Sequence, residues 1–317
     1  MTGDVDLAGA RILVTGGRGF LGSAVVRRLR AEGAEVVAVG SSDFDLTQQA
    51  DVRRMIGEAR ADVVVHAAAA VGGIAANVAN PGTFLYANAL MGLMVLEEAR
   101  SAGLQKLVMI STTCAYPAVT PLPMSEDDIW SGKPAGATGP YGMAKRLLHE
   151  ACATYEQQFG FASSVLLLAN LYGPGDRVEN GHVIPMLVER FVEAHRHDAP
   201  SVTNWGSGAA TREFLHVDDA ARAVARAVAC DAGAGVINVG TGVETSIREV
   251  SELIQAAVGY TGDVRWDTSK PEGQARRVLD TRRAADVLGW QAEVDLATGL
   301  GQTVAHRAAA GQGAATP

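Results

Sequence analysis

The sequence predicts an α/β fold: a doubly wound parallel sheet followed by a smaller C-terminal domain. Three observations carry that expectation. The chain opens on a β-rich run, Arg11 to Thr15 (RILVT), joined through Gly16, Gly19 and Gly22 to an amphipathic segment, Ser23 to Glu32. Short apolar runs then alternate with helical patterns as far as Leu168, the pattern of βα units around a parallel sheet. From Asn170 onward the strict alternation is lost. Together these predict a Rossmann-like dinucleotide domain over residues 1–169, with later strands returning to it near 214–240, and mainly a substrate-binding domain over 170–308. The small, Gly-rich stretch Ala309 to Pro317 is expected to be a disordered tail.

Composition bounds the function. The 317 residues can bury a sizeable core, and 48% apolar with 20% charged residues fits a globular protein. A net charge of -8 argues against a nucleic-acid binder, which would carry a basic stripe. The three cysteines, Cys114, Cys152 and Cys230, form no Cys-x-x-Cys pair, so neither a disulfide framework nor a metal site is expected. No apolar run reaches membrane-spanning length, and Met1 to Ala10 lacks the features of a signal peptide. The expected location is the cytoplasm, where thiols stay reduced.

Each element then has its reason. The glycine loop sits between strand and helix, where glycines allow close approach to a pyrophosphate and the helix N-terminus offers N–H groups. Gly16, Arg18, Gly19, Phe20, Leu21 and Gly22 are therefore expected cofactor contacts, and Gly33 closes the helix. Glu35 to Gly40 reads as the second strand and ends at Ser41-Ser42 without an acid. Two hydroxyls and Arg18 lean the cofactor to NADP over NAD; Asp43 and Asp45 just beyond keep NAD open, unless Asp45 caps a turn. Asp51 to Ala61 reads as a helix and Asp62 to Ala67 as a buried strand. The small residues from Ala67 and Ala68 to Gly73 lie where open α/β sheets bind ligands, and His66 reads as a satisfied core histidine. Pro81 to Ala102, closed by Gly103, is a helix, and Lys106 to Ser111 is the fourth strand.

Hydroxyls follow that strand, at Thr112 and Thr113, where a donor to a substrate carbonyl would sit. The next helix opens behind Pro140 with Tyr141-Gly142-Met143-Ala144-Lys145. A tyrosine and a lysine four apart share a helix face, and an ammonium beside a phenol is expected to pull its pKa down from about 10 towards neutral. Tyr141 is thus the candidate proton donor to a carbonyl oxygen. Ser163 to Leu168 is a further strand, His182 to Arg196 and the Trp205 loop build the later part, and Val236 to Gly240 returns to the main sheet. Asp218-Asp219 reads as a cap for a helix over Ala220 to Cys230 rather than a metal site. Helices Thr83 to Ala102 and Tyr141 to Phe159 carry apolar residues on both sides, which suggests a homodimer across them.

The glycine loop, Thr112 and the Tyr141/Lys145 pair resemble the extended short-chain dehydrogenase/reductase superfamily. Further blocks resemble its GDP-L-fucose synthase family: Val71-Gly72-Gly73-Ile74, Thr113-Cys114-Ala115-Tyr116-Pro117, Asn170-Leu171-Tyr172-Gly173-Pro174, His182-Val183-Ile184-Pro185, Trp205-Gly206-Ser207-Gly208 and Arg212-Glu213-Phe214 through Asp218-Asp219. The similarity runs in order from about Arg11 to about Gly299. It implies a 3,5-epimerase/4-reductase acting on a GDP-linked 4-keto-6-deoxy sugar with NADPH. By the resemblance, Cys114 and His182 exchange protons at C3 and C5, while Tyr141, Lys145 and Thr112 act on the keto oxygen. It adds Ala67, Ala68, Lys145, Leu168, Asn170, Leu171 and His182 to the cofactor contacts. Asn170 and His182 would touch the sugar, and Arg190, Trp205, Arg212 and Glu272 the nucleotide.

The chain departs from that pattern. Thr112 stands for serine, Ala70 for lysine, Ser41-Ser42 lack a basic residue, Leu168-Ala169 replace a more polar stretch, and Ala135 to Gly139 lack an acid and an asparagine. The alternative these motivate is a related 4-keto sugar reductase or epimerase acting on another GDP-, dTDP- or UDP-sugar, in specialised metabolism. A non-catalytic NAD(P)-binding regulator is the alternative from another class; the intact Tyr141, Lys145, Cys114 and His182 argue against it.

Overall fold

The computed structural model describes all residues except 1–3, 135, 232, 234, 270–274 and 314–317. Glu272, expected at the nucleotide, lies outside the described residues. The first half runs β1 (Arg11–Thr15), α1 (Phe20–Ala31), β2 (Glu35–Val39), α2 (Gln49–Ala59), β3 (Val63–His66), α3 (Ile74–Ala79), α4 (Pro81–Ser101), β4 (Lys106–Thr112), α5 (Gly139–Phe159) and β5 (Ala162–Leu168). The second runs β6 (Asn170–Tyr172), α6 (Val183–Arg196), β7 (Ser201–Trp205), β8 (Thr211–Arg212), β9 (Phe214–His216), α7 (Val217–Ala229), β10 (Val236–Val239), β11 (Thr245–Ser246), α8 (Ile247–Val258), β12 (Asp263–Asp267), α9 (Arg282–Leu288) and α10 (Leu296–Gly313).

The main sheet has six strands in the order β2-β1-β3-β4-β5-β10, and every pairing in it is parallel. β3 and β5 are buried along their whole length, as strands covered on both faces must be. One face packs on α1 and α7 through residues such as Val25, Leu29, Val224 and Val228. The other packs on α2, α4 and α5 through Met55, Leu96 and Leu148. A third cluster, with Phe191, Ile254 and Leu300, joins α6, α8 and α10. Strand order reverses between β1 and β3, so a crevice opens there at the strands' C-terminal ends.

Four expectations need correction. Among the described residues, β10 is the one later strand that joins the main sheet; β9 instead pairs with β6. The Ala169 N–H bonds to the Val239 carbonyl, and beyond that bond the chain leaves β5 as β6. The helix placed over Ala220 to Cys230 is α7, which starts at Val217. Its cap is His216, whose ring nitrogen accepts from the Asp218 N–H at 3.3 Å, not the Asp218-Asp219 pair. Asp219 is buried and instead receives the N–H groups of Glu293 and Val294 at 3.0 and 2.9 Å. Residues 309–313 continue α10 rather than forming a disordered tail, because the alanines ahead of them are the best helix formers; residues 314–317 are outside the described residues. Finally, α2 ends at Ala59, not at the expected Ala61, because its cap Arg60 turns into the left-handed region at φ 47°.

α4 and α5 lie against each other, so closely that a Cβ on Gly92 would come within 2.3 Å of the Leu148 side chain. Their other faces leave Leu85, Tyr86, Met143, Leu147 and Phe159 exposed. No helix among the described residues is long and apolar enough to cross a membrane.

Candidate active site

The crevice begins with the turn after β1. Gly16 has φ +68° and its Cα faces the chain after β3: a Cβ there would lie 2.8 Å from the Ala68 nitrogen. A Cβ on Gly22 would lie 2.0 Å from the Gly16 carbonyl oxygen. Backbone therefore lines the site where side chains would fill it. α1 starts at Phe20 behind Gly19, with no capping side chain and no acid in its first turn. Its free N–H groups and positive dipole end suit a pyrophosphate, so the cradle fits a dinucleotide.

At the end of β2, Arg18 pairs with Asp43 at 3.0 Å and donates to the Ser42 hydroxyl at 3.1 Å. Asp43 also accepts the Gly40 N–H at 2.8 Å. Both serines are exposed, and the hydroxyl beside Arg18 is that of Ser42. Asp45 holds a turn, accepting from the Thr47 N–H and hydroxyl at 2.9 and 2.6 Å. His66 is a core residue, 2.9 Å from the Thr15 hydroxyl, and burial pushes its ring down to about 3.

Chemistry-bearing side chains gather where β4 ends. Thr112 caps a single 3-10 turn, Thr113–Ala115, its hydroxyl oxygen accepting the Cys114 N–H at 3.2 Å. That leaves the hydroxyl hydrogen for another acceptor. α5 packs on this turn at Gly142, where a Cβ would lie 2.0 Å from the Cys114 carbonyl oxygen. Any side chain there would drive the helix off the turn. Arg146, one turn of helix on, donates to the Ala115 and Gly132 carbonyls and pins the same contact.

The expected effect of Lys145 on Tyr141 is overturned. The Lys145 ammonium stands 6.0 Å from the centre of the Tyr141 ring and donates to the Ile110 carbonyl at 2.8 Å. Burial, then the nearness of Cys114, pushes the phenol above its ordinary value instead of towards neutral. Burial also lowers Lys145 to about 8. Desolvation disfavours the charged form of both groups, and at this separation it outweighs their attraction. Tyr141 thus stays protonated through neutral pH, the form that donates to a carbonyl.

The remaining predicted residues stand on other elements. His182 is exposed at the start of α6, its Nδ1 3.0 Å from Asp176. No hydrogen bond among the described residues joins it to Cys114. Leu168 is buried at the end of β5, Leu171 packs against the same core, and Asn170 donates to the Glu213 carbonyl at 3.0 Å. Arg190 donates to Asn204 at 2.8 Å, while Trp205 at the end of β7 is 60% exposed. Arg212 donates to the Thr211 carbonyl and is lowered by burial and by the neighbouring Arg277.

Arg277 was missed by sequence reasoning. Its guanidinium donates to the Thr113 hydroxyl at 3.3 Å, which ties the Arg212 end to the Cys114 turn. The two guanidiniums are close enough for the charge of Arg277 to act on Arg212. The Arg276-Arg277 doublet was the only signal in the sequence. Glu213 was also passed over: buried, and raised by that burial, it accepts the Gly242 and Leu279 N–H groups at 2.7 and 2.8 Å and holds Arg212's strand.

Comparison with known proteins agrees with this geometry. Residues 12–240 match the family model described as NAD dependent epimerase/dehydratase family. The chain is 38% identical over 297 residues to GDP-L-fucose synthase 1 of Arabidopsis thaliana, covering 93% of this chain and 92% of that protein. It is 38% identical over 305 residues to GDP-L-fucose synthase of Escherichia coli (strain K12), covering 92% and 95%. The crystal structure of a GDP-L-fucose synthetase from Naegleria fowleri bound to NADP superposes with a TM-score of 0.88 at 26% identity, covering 98% of this chain and 96% of that one. A six-stranded parallel sheet, a glycine cradle at its switch point and a tyrosine set beside a cysteine thus converge with sequence: the chain is an NAD(P)-dependent enzyme of the NAD-dependent epimerase/dehydratase family and belongs, within it, to the GDP-L-fucose synthases.

Proposed function

We propose that the chain converts GDP-4-keto-6-deoxy-D-mannose to GDP-L-fucose, epimerising C3 and C5 and then reducing C4 with NADPH. The observation that supports this reading is the contact of Gly142 with the Cys114 backbone, together with the electrostatic effect of Cys114 on the Tyr141 phenol. A keto group at C4 acidifies the hydrogens on both neighbouring carbons. Tyr141 and Thr112 hydrogen-bond the keto oxygen and stabilise the enolate left when a C–H proton departs. Cys114 and His182 exchange protons with these carbons from opposite faces, one removing and the other returning a proton at each centre. A bound nicotinamide would supply the hydride for C4. Tyr141 gives its proton to the C4 oxygen, and the buried Lys145 balances the phenolate that remains.

Gly16, Arg18, Gly19, Phe20, Leu21, Gly22, Ser41, Ala67, Ala68, Lys145, Leu168, Asn170, Leu171 and His182 line the cofactor, with Ser42 rather than Ser41 beside Arg18. Asn170 contacts the sugar, and Arg190, Trp205, Arg212 and Glu272 the nucleotide, with Arg277 joining Arg212 at the diphosphate. Residues 1–169 with β10 form the cofactor domain and residues 170–308 mainly the substrate domain. Arg18 and Ser42 favour NADP over NAD. The exposed Leu85, Tyr86, Met143, Leu147 and Phe159 support a homodimer through α4 and α5. Three free thiols support a cytoplasmic location.

The test is turnover of GDP-4-keto-6-deoxy-D-mannose with NADPH in deuterated water. NADPH is consumed and C3 and C5 acquire label; reduction without label overturns the epimerase half. Cys114→Ser is expected to slow labelling on the order of 10²-fold, with a smaller loss of reduction. Equal loss of both overturns the role given to Cys114. A second reading, another keto sugar as substrate, rests on Thr112, Ala70 and the Ser41-Ser42 turn. Product analysis over a panel of GDP-, dTDP- and UDP-keto sugars separates the two.

A further inference from the structure

His182 begins α6 but does not cap it: no side-chain bond reaches back to the helix's free N–H groups. Its ring turns instead to Asp176, with Nδ1 3.0 Å from Oδ2 and 3.2 Å from Oδ1. The two side chains are opposites in exposure. That of His182 is 47% exposed and that of Asp176 is 0% exposed, inside the loop that joins β6 to α6. The loop is built around the carboxylate. Asn180 donates its side-chain N–H to Oδ1 at 3.1 Å, and the Asp176 N–H bonds back to the Gly173 carbonyl. Gly181, next to the histidine, meets Gly73 backbone to backbone; a Cβ on Gly181 would lie 3.0 Å from the Gly73 Cα.

A buried carboxylate needs donors, and one of the two that it has here is an exposed imidazole. An ionised carboxylate only accepts, so the nitrogen facing it must carry hydrogen. In the neutral ring, that leaves Nε2 as the nitrogen with a free lone pair. We propose that Asp176 is a positioning residue, which fixes His182 as the Nδ1–H tautomer and aims Nε2 at the sugar as the nitrogen that exchanges protons. This deepens the reading given above and rests on it for the role of His182.

The proton count is closed. When Nε2 takes a proton the ring becomes an imidazolium, with both ring hydrogens in place and its charge against Asp176. When Nε2 gives that proton to carbon, the ring returns to the neutral Nδ1–H form, and solvent at the exposed ring restores the proton. The proton moves only between Nε2, the carbon and solvent, and Asp176 takes no part in its transfer. No redox partner is needed for either step.

Two readouts test this on the full chain. The first needs no substrate: long-range proton–nitrogen spectra of ¹⁵N-histidine-labelled protein, above the ring's titration, with the His182 signals assigned by their loss in His182→Asn. The expected pattern is protonated Nδ1 and bare Nε2 in the parent chain, moving towards the opposite tautomer in Asp176→Ala. Nε2–H in the parent, or no change in Asp176→Ala, overturns the proposal. The second is deuterium entry at C3 and C5 of GDP-4-keto-6-deoxy-D-mannose. Asp176→Asn, the same shape without charge, guards against simple collapse of the loop. It is expected to slow labelling on the order of 10- to 100-fold, part of what a proton-transfer group contributes, with the KM for the sugar within about twofold. A raised KM with equal loss of reduction marks a merely structural role and overturns the proposal. Undiminished labelling in His182→Asn instead overturns the reading of His182 as a proton-transfer residue, and the spectra then judge the tautomer alone.

Discussion

The two sides of the site are held by different means. Around the place proposed for the keto oxygen, Lys145 and Gly142 are buried, Thr112 is half-buried, and all three are fixed by backbone: Lys145 on the Ile110 carbonyl, Thr112 under the Cys114 N–H, Gly142 against the Cys114 carbonyl. On the side that carries His182 and Trp205, both side chains are exposed, and His182 is held by the Asp176 carboxylate. Buried groups have shifted proton affinities and little freedom. Exposed ones keep solvent access and can exchange protons with it. On the proposed chemistry this division is sensible. A carbonyl needs a fixed, dry donor, and a carbon acid needs a partner that can be reloaded.

The largest expected effect lies on the buried side. Tyr141→Phe should lower both NADPH oxidation and label entry on the order of 10²- to 10⁴-fold, because one donor serves both steps. Loss of reduction with labelling intact would break the comparison, and would make Thr112 the sole support of the enolate.

Next comes the energetic side of that burial. Lys145 falls from 10.5 to about 8 on folding, so its charge is worth less inside than outside. Such a shift costs about 3 kcal/mol of stability wherever the group is charged in both states. The sign follows from which state binds more protons. Below pH 8 the penalty is present in full; between about 8 and 10.5 the unfolded chain holds the proton more tightly, and the penalty fades as pH rises. Lys145→Met removes it while losing one hydrogen bond, worth about 1 kcal/mol. The inactive variant should therefore be more stable by about 2 kcal/mol at pH 7, with the gain shrinking towards pH 10. Denaturant titrations at both values decide it, and a variant less stable at pH 7 removes the argument.

The smallest effect belongs to the exposed rim of the cofactor site. Arg18 is held by Asp43, and a 2′-phosphate must compete for that guanidinium. Asp43→Asn is expected to tighten NADP⁺ binding several-fold, within the about 1 kcal/mol that an exposed ion pair is worth, and to leave NAD⁺ unchanged or weaker. Calorimetric titration with both dinucleotides measures it. Equal changes for the two would remove Asp43 from cofactor choice.

Much of the sheet was legible because its signals are local. The run RILVT, the glycine loop and Gly33 lie within one βα unit, and Tyr141 and Lys145 within one turn of helix. What failed depended on burial or on distant partners. The spacing of Tyr141 and Lys145 says they share a face, but not that the ammonium turns to Ile110 and that desolvation dominates. Arg277 reaches Thr113 across 164 positions, beyond any local pattern. At α7 a histidine took the capping role that two acids advertise more loudly, because Asp219 was needed by the Glu293–Val294 backbone. Asp176 hid in a loop whose meaning appears only once the loop has closed around it.

The contact at Gly142 has a lineage consequence. With the Cys114 carbonyl filling the place of a Cβ, the thiol and the phenol belong to one rigid piece. On the proposed roles, a descendant could abandon inversion of the carbons by exchanging the single side chain at 114 and keep its reductase. It could not carry the thiol to a new carbon of a new sugar without dragging the phenol along. On those proposed roles, the two activities are separable by mutation and inseparable by movement, so new substrates must be accommodated from the exposed rim inward.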